Sequence, residues 1–294
     1  MNYKSKYEKY NNKYLLLKNN MKGGSKTQSE IPRKIYMFWH DKDKVPYFVK
    51  QCIKNIKDKN KKNEVKIYYY NDVMKIKDRP KILDTYRKRG VADWLRLYLL
   101  YTYGGIWIDA SSVFIKKSLD DIIDLKSNKL LGYTPPNIVD SPKILENWFL
   151  ASKKKNKFVK MWLNEWIIAL QNKEEYCKKY DKYASQKLKS RLPYLTQHLT
   201  FLKLISTNKL TKYYKSIGHS EDINNPFYLV KKNNWNKNLF SKELLNSKYI
   251  DNNLSFIKIT GYFRKDIIKL IKKCKFNKNS YFIKLLDIKC NKNV

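Results

Sequence analysis

An α/β fold built on a sheet of the nucleotide-binding kind is what the sequence predicts, and three observations carry that expectation. Residues 34–70 read as strand, helix and strand: Lys34 to Trp39, Pro46 to about Lys57, and Val65 to Tyr70. Such alternation is the opening of a sheet flanked by helices. Residues 92–113 then run as a helical pattern, a Gly104-Gly105 stop, the short apolar run Ile106-Trp107-Ile108, and Asp109. A run of that length suits a strand buried on both faces. Finally, the chain is long enough, at 294 residues, to bury a sizeable core as one large α/β unit.

The first element stands apart from this body. Tyr3, Tyr7, Tyr10, Tyr14, Leu17 and Met21 step by four and three, the spacing of a heptad seam, which predicts an N-terminal helix within residues 1–24. Three heptads are marginal for an isolated helix, so it is expected to dock on the body, a partner or a membrane face. Residues 21–28, rich in Gly, Ser and Lys, read as a linker, and the body is expected over 25–294. Proline at the first turn fits the helix that starts at Pro46. Asn71-Asp72 reads as a turn or helix cap. In the following helix Leu97, Leu100 and Tyr101 share an apolar face, and Asp93 and Arg96, three apart, project together. Glycine ends this helix because it tolerates a left-handed backbone. Lys129 to Tyr133 is a further strand. Helix signals then dominate a predicted insertion of about 143–207, as Lys143–Ala151, Phe158–Leu170 and Tyr194–Ile205. After about Tyr262, lysines alternating with Ile, Leu and Phe predict closing helices.

Composition bounds the function. The formal net charge is +37 and the sequence pI 9.8, a balance that ordinarily points to nucleic acid or an anionic membrane. Lysine greatly outnumbers arginine, however, and is spread through most helices and loops without an arginine-rich stripe for reading bases. A solvated basic surface that attracts phosphorylated or acidic ligands is the expectation, with no specific nucleic-acid partner. Cys52, Cys177, Cys274 and Cys290 lack metal-site spacing and are expected as free thiols in a reducing compartment. No window holds the roughly 18 apolar residues of a membrane span, so peripheral membrane contact is the most that is expected.

The residues that carry chemistry lie where the buried strand ends. Ligands of open α/β sheets bind beyond the carboxyl ends of strands, which makes Asp109 a candidate metal or nucleotide contact. Asp93 and Arg96 are either an i,i+3 surface pair or a pair facing a ligand. Trp39 ends the first strand, where a base can stack, with core packing as its equal rival. Lys258, in a late strand beside Thr260, is a phosphate clamp or an ordinary strand-edge lysine. His198 and His219 read first as a helix and a loop histidine.

Residues 92–113 resemble the sugar-nucleotide site of glycosyltransferases with a DXD-type motif, in particular the capsular polysaccharide synthesis and Och1-like (glycosyltransferase family 32-like) group. Ile31 to His40 is similar to that group's opening strand, Pro46 to Asn55 to its next helix, and Glu146-Asn147-Trp148-Phe149-Leu150-Ala151 to its Glu-Asn-Trp-Phe segment. Tyr194 to His198 and Ser255 to Thr260 are weaker matches, and together the segments span about 31–262 in order. The tyrosine- and lysine-rich leader resembles those of giant-virus proteins, which implies a host-cytoplasmic virus factory or a virion as location, and otherwise a cytoplasmic or peripheral-membrane one.

The resemblance implies a GT-A type fold, a Rossmann-like mixed sheet for nucleotide-diphospho-sugar transfer, and a retaining glycosyltransferase using Mn²⁺ or Mg²⁺. The implied donor is a nucleotide-diphosphate sugar, expected as a UDP-sugar, and the acceptor a glycan or glycoprotein. Asp109 and Arg96 become catalytic, and Trp39, Asp93, Arg96, Trp107, Asp109, Ser111 and Lys258 donor-binding. Asp109 and Ser111 become metal ligands, with His198 or His219 as the late ligand that this fold brings to the ion. Ser111 departs from the acidic pair, since a hydroxyl can ligate a hard cation but contributes no charge. Two other classes stay open: a catalytically weak sugar-nucleotide or glycan-binding relative, and a basic nucleic-acid-associated protein.

Overall fold

A computed structural model describes residues 30–86, 88–134, 144–208, 210–219, 225–251 and 254–290, with the side chain of His219 outside the description. The predicted N-terminal helix lies outside these residues. The body opens as β1 (Lys34–Phe38), α1 (Tyr47–Lys59) and β2 (Glu64–Tyr68), followed by the short α2 (Tyr70–Met74). Asp72 closes a capping box at the start of α2, its carboxylate accepting from the Tyr69 N–H at 2.8 Å. Next come α3 (Arg89–Tyr103), β3 (Gly105–Ile108), β4 (Ser112–Phe114), β5 (Leu130–Thr134) and β6 (Phe149–Ser152). A helical block follows, comprising α4 (Lys157–Gln171), α5 (Lys173–Tyr180), α6 (Gln186–Lys189) and α7 (Thr196–Asn208). The chain then returns through β7 (Tyr214–His219), α8 (Tyr228–Lys232), α9 (Lys237–Asn246), β8 (Phe256–Lys258), α10 (Gly261–Lys272) and α11 (Tyr281–Leu285).

Among the described residues the main sheet has the order β2-β1-β3-β6-β5-β7, and β4 pairs with β8 in a separate two-stranded ribbon. The pairs β1/β2, β1/β3 and β5/β7 are parallel, whereas β6 is antiparallel to β3 and β5. Strand alternation divides the core into two layers. Ile35, Met37, Ile106 and Ile108 point into one, and Tyr36 and Trp107 into the other. Both faces of β3 are therefore covered, which explains its lack of polar alternation. α3 packs Trp94, Leu97 and Leu100 into the second layer beside Trp162 and Trp166 of α4.

Two expectations are corrected here. Residues 143–151 were expected to be helical, yet Phe149–Ser152 is a fully buried strand between β3 and β5. A short apolar run satisfies either period, and the two neighbouring strands supply the backbone partners that decide the outcome. The helical block consequently starts at Lys157. Of the four cysteines expected as free thiols, Cys274 and Cys290 form a disulfide, because the turn after α10 and α11 brings their Cα atoms to 5.2 Å. Cys52 and Cys177 are free and buried. Two side chains of α1 and its C-cap do structural work that the sequence does not announce. Asn55 exchanges hydrogen bonds with the backbone of Phe114 (2.8 and 3.0 Å), and Asn60 accepts from the Leu119 N–H at 2.8 Å. No helix among the described residues is long and apolar enough to cross a membrane.

The glycines that stop α3 hold φ of +70° and +111°. A Cβ on Gly105 would stand 2.6 Å from the Lys34 carbonyl oxygen, and one on Gly104 2.5 Å from the Lys154 nitrogen. Both contacts are with backbone, so Gly105→Ala is expected to cost about 2 kcal/mol or more through strain and clash. Denaturant unfolding checks this, and a loss below about 0.5 kcal/mol would show that the turn does not fix where β3 enters the sheet.

Candidate functional site

The parallel strands β1 and β3 end side by side, and there the surface opens into a cleft of about 1110 Å³. Its walls come from segments far apart in sequence. The end of β1 supplies Trp39, α3 supplies Asp93 and Arg96, and the end of β3 supplies Asp109 and Ser111. The approach to β6 adds Glu146, Asn147 and Trp148, α7 adds His198, and the β8–α10 junction adds Lys258, Thr260 and Arg264. A crevice beyond strand carboxyl ends is where α/β sheets of this kind bind ligands.

Arg96 is the hub of the floor. Only 4% exposed, it donates from Nη1 to the Asp93 carboxylate and, at 2.7 Å, to Gln197 Oε1. Gln197 donates back to the Asp93 backbone carbonyl at 2.7 Å, and Asn147 donates to Gln197 Oε1 at 2.9 Å. Asp93 and Gln197 thus hold the guanidinium between them, and a fork of donors loses little freedom once its acceptors are placed. Arg96 Nε is nevertheless buried without a hydrogen-bond partner among the described residues, as is Trp148 Nε1. Buried donors of this kind are costly unless a ligand satisfies them.

Asp109 connects this network to the other side of the cleft. Its Oδ2 lies 2.6 Å from Lys258 Nζ, and its Oδ1 accepts from Trp107 Nε1 at 3.2 Å and lies 3.7 Å from Arg96 Nη2. Burial pushes the Asp109 carboxyl up, but Lys258 and Arg96 outweigh it and hold the group below its ordinary 3.8. Ser111 faces the β8–α10 junction, its hydroxyl donating to the Ile259 carbonyl at 2.7 Å and accepting from Arg264 Nη1 at 3.0 Å. The Arg264 guanidinium lies 5.1 Å from the centre of the Trp39 ring.

Among the residues singled out in the sequence, Trp39, Asp93, Arg96, Asp109, Ser111, His198 and Lys258 all line this cleft. Trp107 does not. At 1% exposure it belongs to the core, because alternation along β3 turns it away from the opening, and it reaches the site only by orienting Asp109 and lying 5.1 Å from the Arg96 guanidinium. His198 Nε2 lies 3.5 Å from Glu146 Oε2 on the cleft wall. His219 ends β7 opposite Thr134, and its side chain is outside the described residues. Gln197, Asn147, Trp148 and Arg264 are contributors that sequence reasoning left without a role. The first three sit in segments already matched, one residue from His198 or beside Glu146, so position was the available signal. Arg264 had none beyond its nearness to Lys258.

A divalent cation of the expected kind needs hard oxygen ligands. Among the described residues no three His, Cys, Asp or Glu side chains converge in that way. Both oxygens of Asp109 already face cations or a donor, and the Ser111 oxygen faces Arg264. The cleft thus offers a divalent cation one carboxylate, Asp109, and one hydroxyl, Ser111, each already paired with a cationic side chain.

A mixed α/β sheet thus carries, at its switch from parallel to antiparallel strands, a cleft lined by more cationic than acidic side chains. The chain belongs to the capsular polysaccharide synthesis protein family, whose profile matches residues 2–274. A stretch of 76 residues is 37% identical to the O-glycosyltransferase braB of Annulohypoxylon truncatum, covering 24% of this chain and 18% of that protein. Two solved structures are similar at low identity. PaToxG glycosyltransferase shares 13% identity with a TM-score of 0.43, over 62% of this chain and 71% of its own. A glycosyltransferase involved in the glycosylation of the major capsid of PBCV-1 shares 10% with a TM-score of 0.45, over 80% and 96%.

Removing one member of a buried pair leaves the other charge uncompensated. Asp109→Asn is therefore expected to lose about 3 kcal/mol of stability through the buried Lys258, whereas Lys258→Met should cost less because Asp109 keeps Arg96 and is one-third exposed. The contribution has a defined pH sense. A depressed carboxyl pKa stabilises the fold above the unfolded value and loses that effect as pH falls through the folded one. The gap between the wild type and Asp109→Asn should hold above pH 3.8 and narrow below it in denaturant unfolding. A gap that does not depend on pH would show that Asp109 is not the titrating partner.

Proposed function

We propose that this protein is a GT-A type glycosyltransferase that moves a sugar from a nucleotide-diphosphate donor, expected as a UDP-sugar, to a glycan or glycoprotein acceptor with retention of configuration. The carrying observation is the Arg96 network. A guanidinium fixed by Asp93 and Gln197 keeps one buried donor unsatisfied on the floor of a cleft at the strand ends. Family membership and the braB-like segment, in a protein named as an O-glycosyltransferase, support the same reading.

In this reading Asp93 and Arg96 receive the hydroxyl groups of the donor sugar, the carboxylate accepting and the guanidinium donating. Trp39 offers a ring for the base at the end of β1. Asp109 holds Lys258 in place and stands beside the position where charge moves. Sugar transfer builds positive charge at the anomeric carbon and negative charge on the departing diphosphate, so preorganised groups of opposite sign are the main requirement. The cleft supplies both signs within one wall. With retention of configuration, the transfer runs on the front face and the leaving phosphate takes the acceptor's proton.

Thermal melting with UDP-, GDP-, CDP- and TDP-sugars, and separately with duplex DNA, tests the reading, because a ligand of the native state raises its melting temperature. One nucleotide sugar is expected to raise it, and DNA alone doing so would favour the basic-surface class. Arg96→Lys keeps the charge but loses the fork, and is expected to lower donor turnover by about 10²-fold with the fold intact. Retained turnover would remove Arg96 from the donor site.

A further inference from the structure

We propose that the N-terminus of α10, together with Lys258 and Arg264, forms a metal-independent site for the donor's diphosphate, so that these groups and not a divalent cation meet the charge of the leaving group. The inference rests on the glycosyltransferase reading above and adds how its leaving group is held.

Four observations converge on this corner of the cleft. α10 is a helix of 12 residues, and its first turn carries no side-chain cap although Thr260 and Gly261 line the cleft. Unsatisfied N–H groups and the helix dipole make such an end attractive to phosphate. Lys258, 5% exposed, brings a buried ammonium to the same wall. Arg264 has no carboxylate within ion-pair distance among the described residues, its oxygen partner being the neutral Ser111 at 3.0 Å. The Arg264 guanidinium also lies 5.1 Å from the centre of the Trp39 ring, so this corner adjoins the position read for the base.

Ser111 gains a rationale from this arrangement. An acid at that position would pair with Arg264 and neutralise it, whereas a hydroxyl orients the guanidinium and leaves its charge for a ligand. Arg96, Lys258 and Arg264 stand against Asp93 and Asp109, with Glu146 on the wall beside His198. Lys44, Lys88, Arg89, Lys187 and Arg191 add to the lining against Asp41 alone, so the cleft as a whole has a cationic surplus, and an incoming divalent cation would have to displace Lys258 to reach Asp109 Oδ2. In the transfer itself the bond between the anomeric carbon and the β-phosphate oxygen breaks, and its electron pair stays with the phosphate. The acceptor oxygen forms the new bond to that carbon, and its proton passes to the departing phosphate oxygen.

The test is calorimetric titration of the full chain with UDP against UMP, and with the GDP, CDP and TDP pairs, in EDTA and again in MnCl₂ or MgCl₂. In EDTA one diphosphate is expected to bind at least tenfold more tightly than its monophosphate. Arg264→Gln should remove that preference by weakening the diphosphate at least tenfold more than the monophosphate, with Arg264→Lys partly restoring it. A merely structural role would weaken both nucleotides together. A preference that emerges only with Mn²⁺ or Mg²⁺ would overturn the inference and leave the donor reading standing. So would an unchanged preference in a folded Arg264→Gln. Should that variant fail to fold, the wild-type comparison in EDTA and in metal decides alone. Binding of no nucleotide in either condition would overturn the donor reading and this inference with it.

Discussion

The contact between Lys258 and Asp109 joins residues 149 apart in sequence and ties the end of a central strand to the ribbon that closes the cleft. A lysine this deeply buried is unfavourable unless its charge is met, so the position of β8 depends on the carboxylate that β3 delivers. Asp109 in turn is held by Trp107 from beneath and by Arg96 from the side. Asp93, Arg96, Asp109 and Lys258 are thereby each placed by a charged neighbour, and the walls of the cleft are coupled through polar contacts rather than apolar packing alone.

The scaffold makes that coupling possible. β3 lies between the parallel β1 and the antiparallel β6, so it is fixed on both edges as well as both faces. Gly104 and Gly105 let the chain turn from α3 into it where any Cβ would meet backbone. The same helix that runs into this turn presents Asp93 and Arg96 one turn apart, and so the spacing between helix, stop and strand sets the distance between the sugar-facing pair and Asp109.

Much of this was legible before any coordinates. The strand–helix–strand opening, α3, its glycine stop and β3 follow from local period and from glycine's tolerance of positive φ, and the structure places each within three residues of the expected bounds. Asp93, Arg96 and Asp109 were recognisable because they punctuate that pattern. Trp107 was only half legible. Its place in the strand was clear, but the face it occupies depends on which layer each side of the sheet meets. Phe149–Ala151 reads as the end of a helix over 143–151 because so short an apolar run has no distinguishing period, and only the flanking strands decide that it is the strand Phe149–Ser152.

The sequence by itself determined the order of elements, the class of sheet and the carboxylate at the end of its buried strand, because these are local consequences of side-chain period and backbone freedom. Only the tertiary structure decided which distant groups meet. It brought Gln197 onto Arg96, Lys258 onto Asp109 and Arg264 onto Ser111, and it closed Cys274 against Cys290. None of these pairings has a sequence period, since each depends on how helices and strands pack across the sheet. The charge balance of the cleft, and with it the chemistry the cleft can perform, is therefore a property of the folded chain.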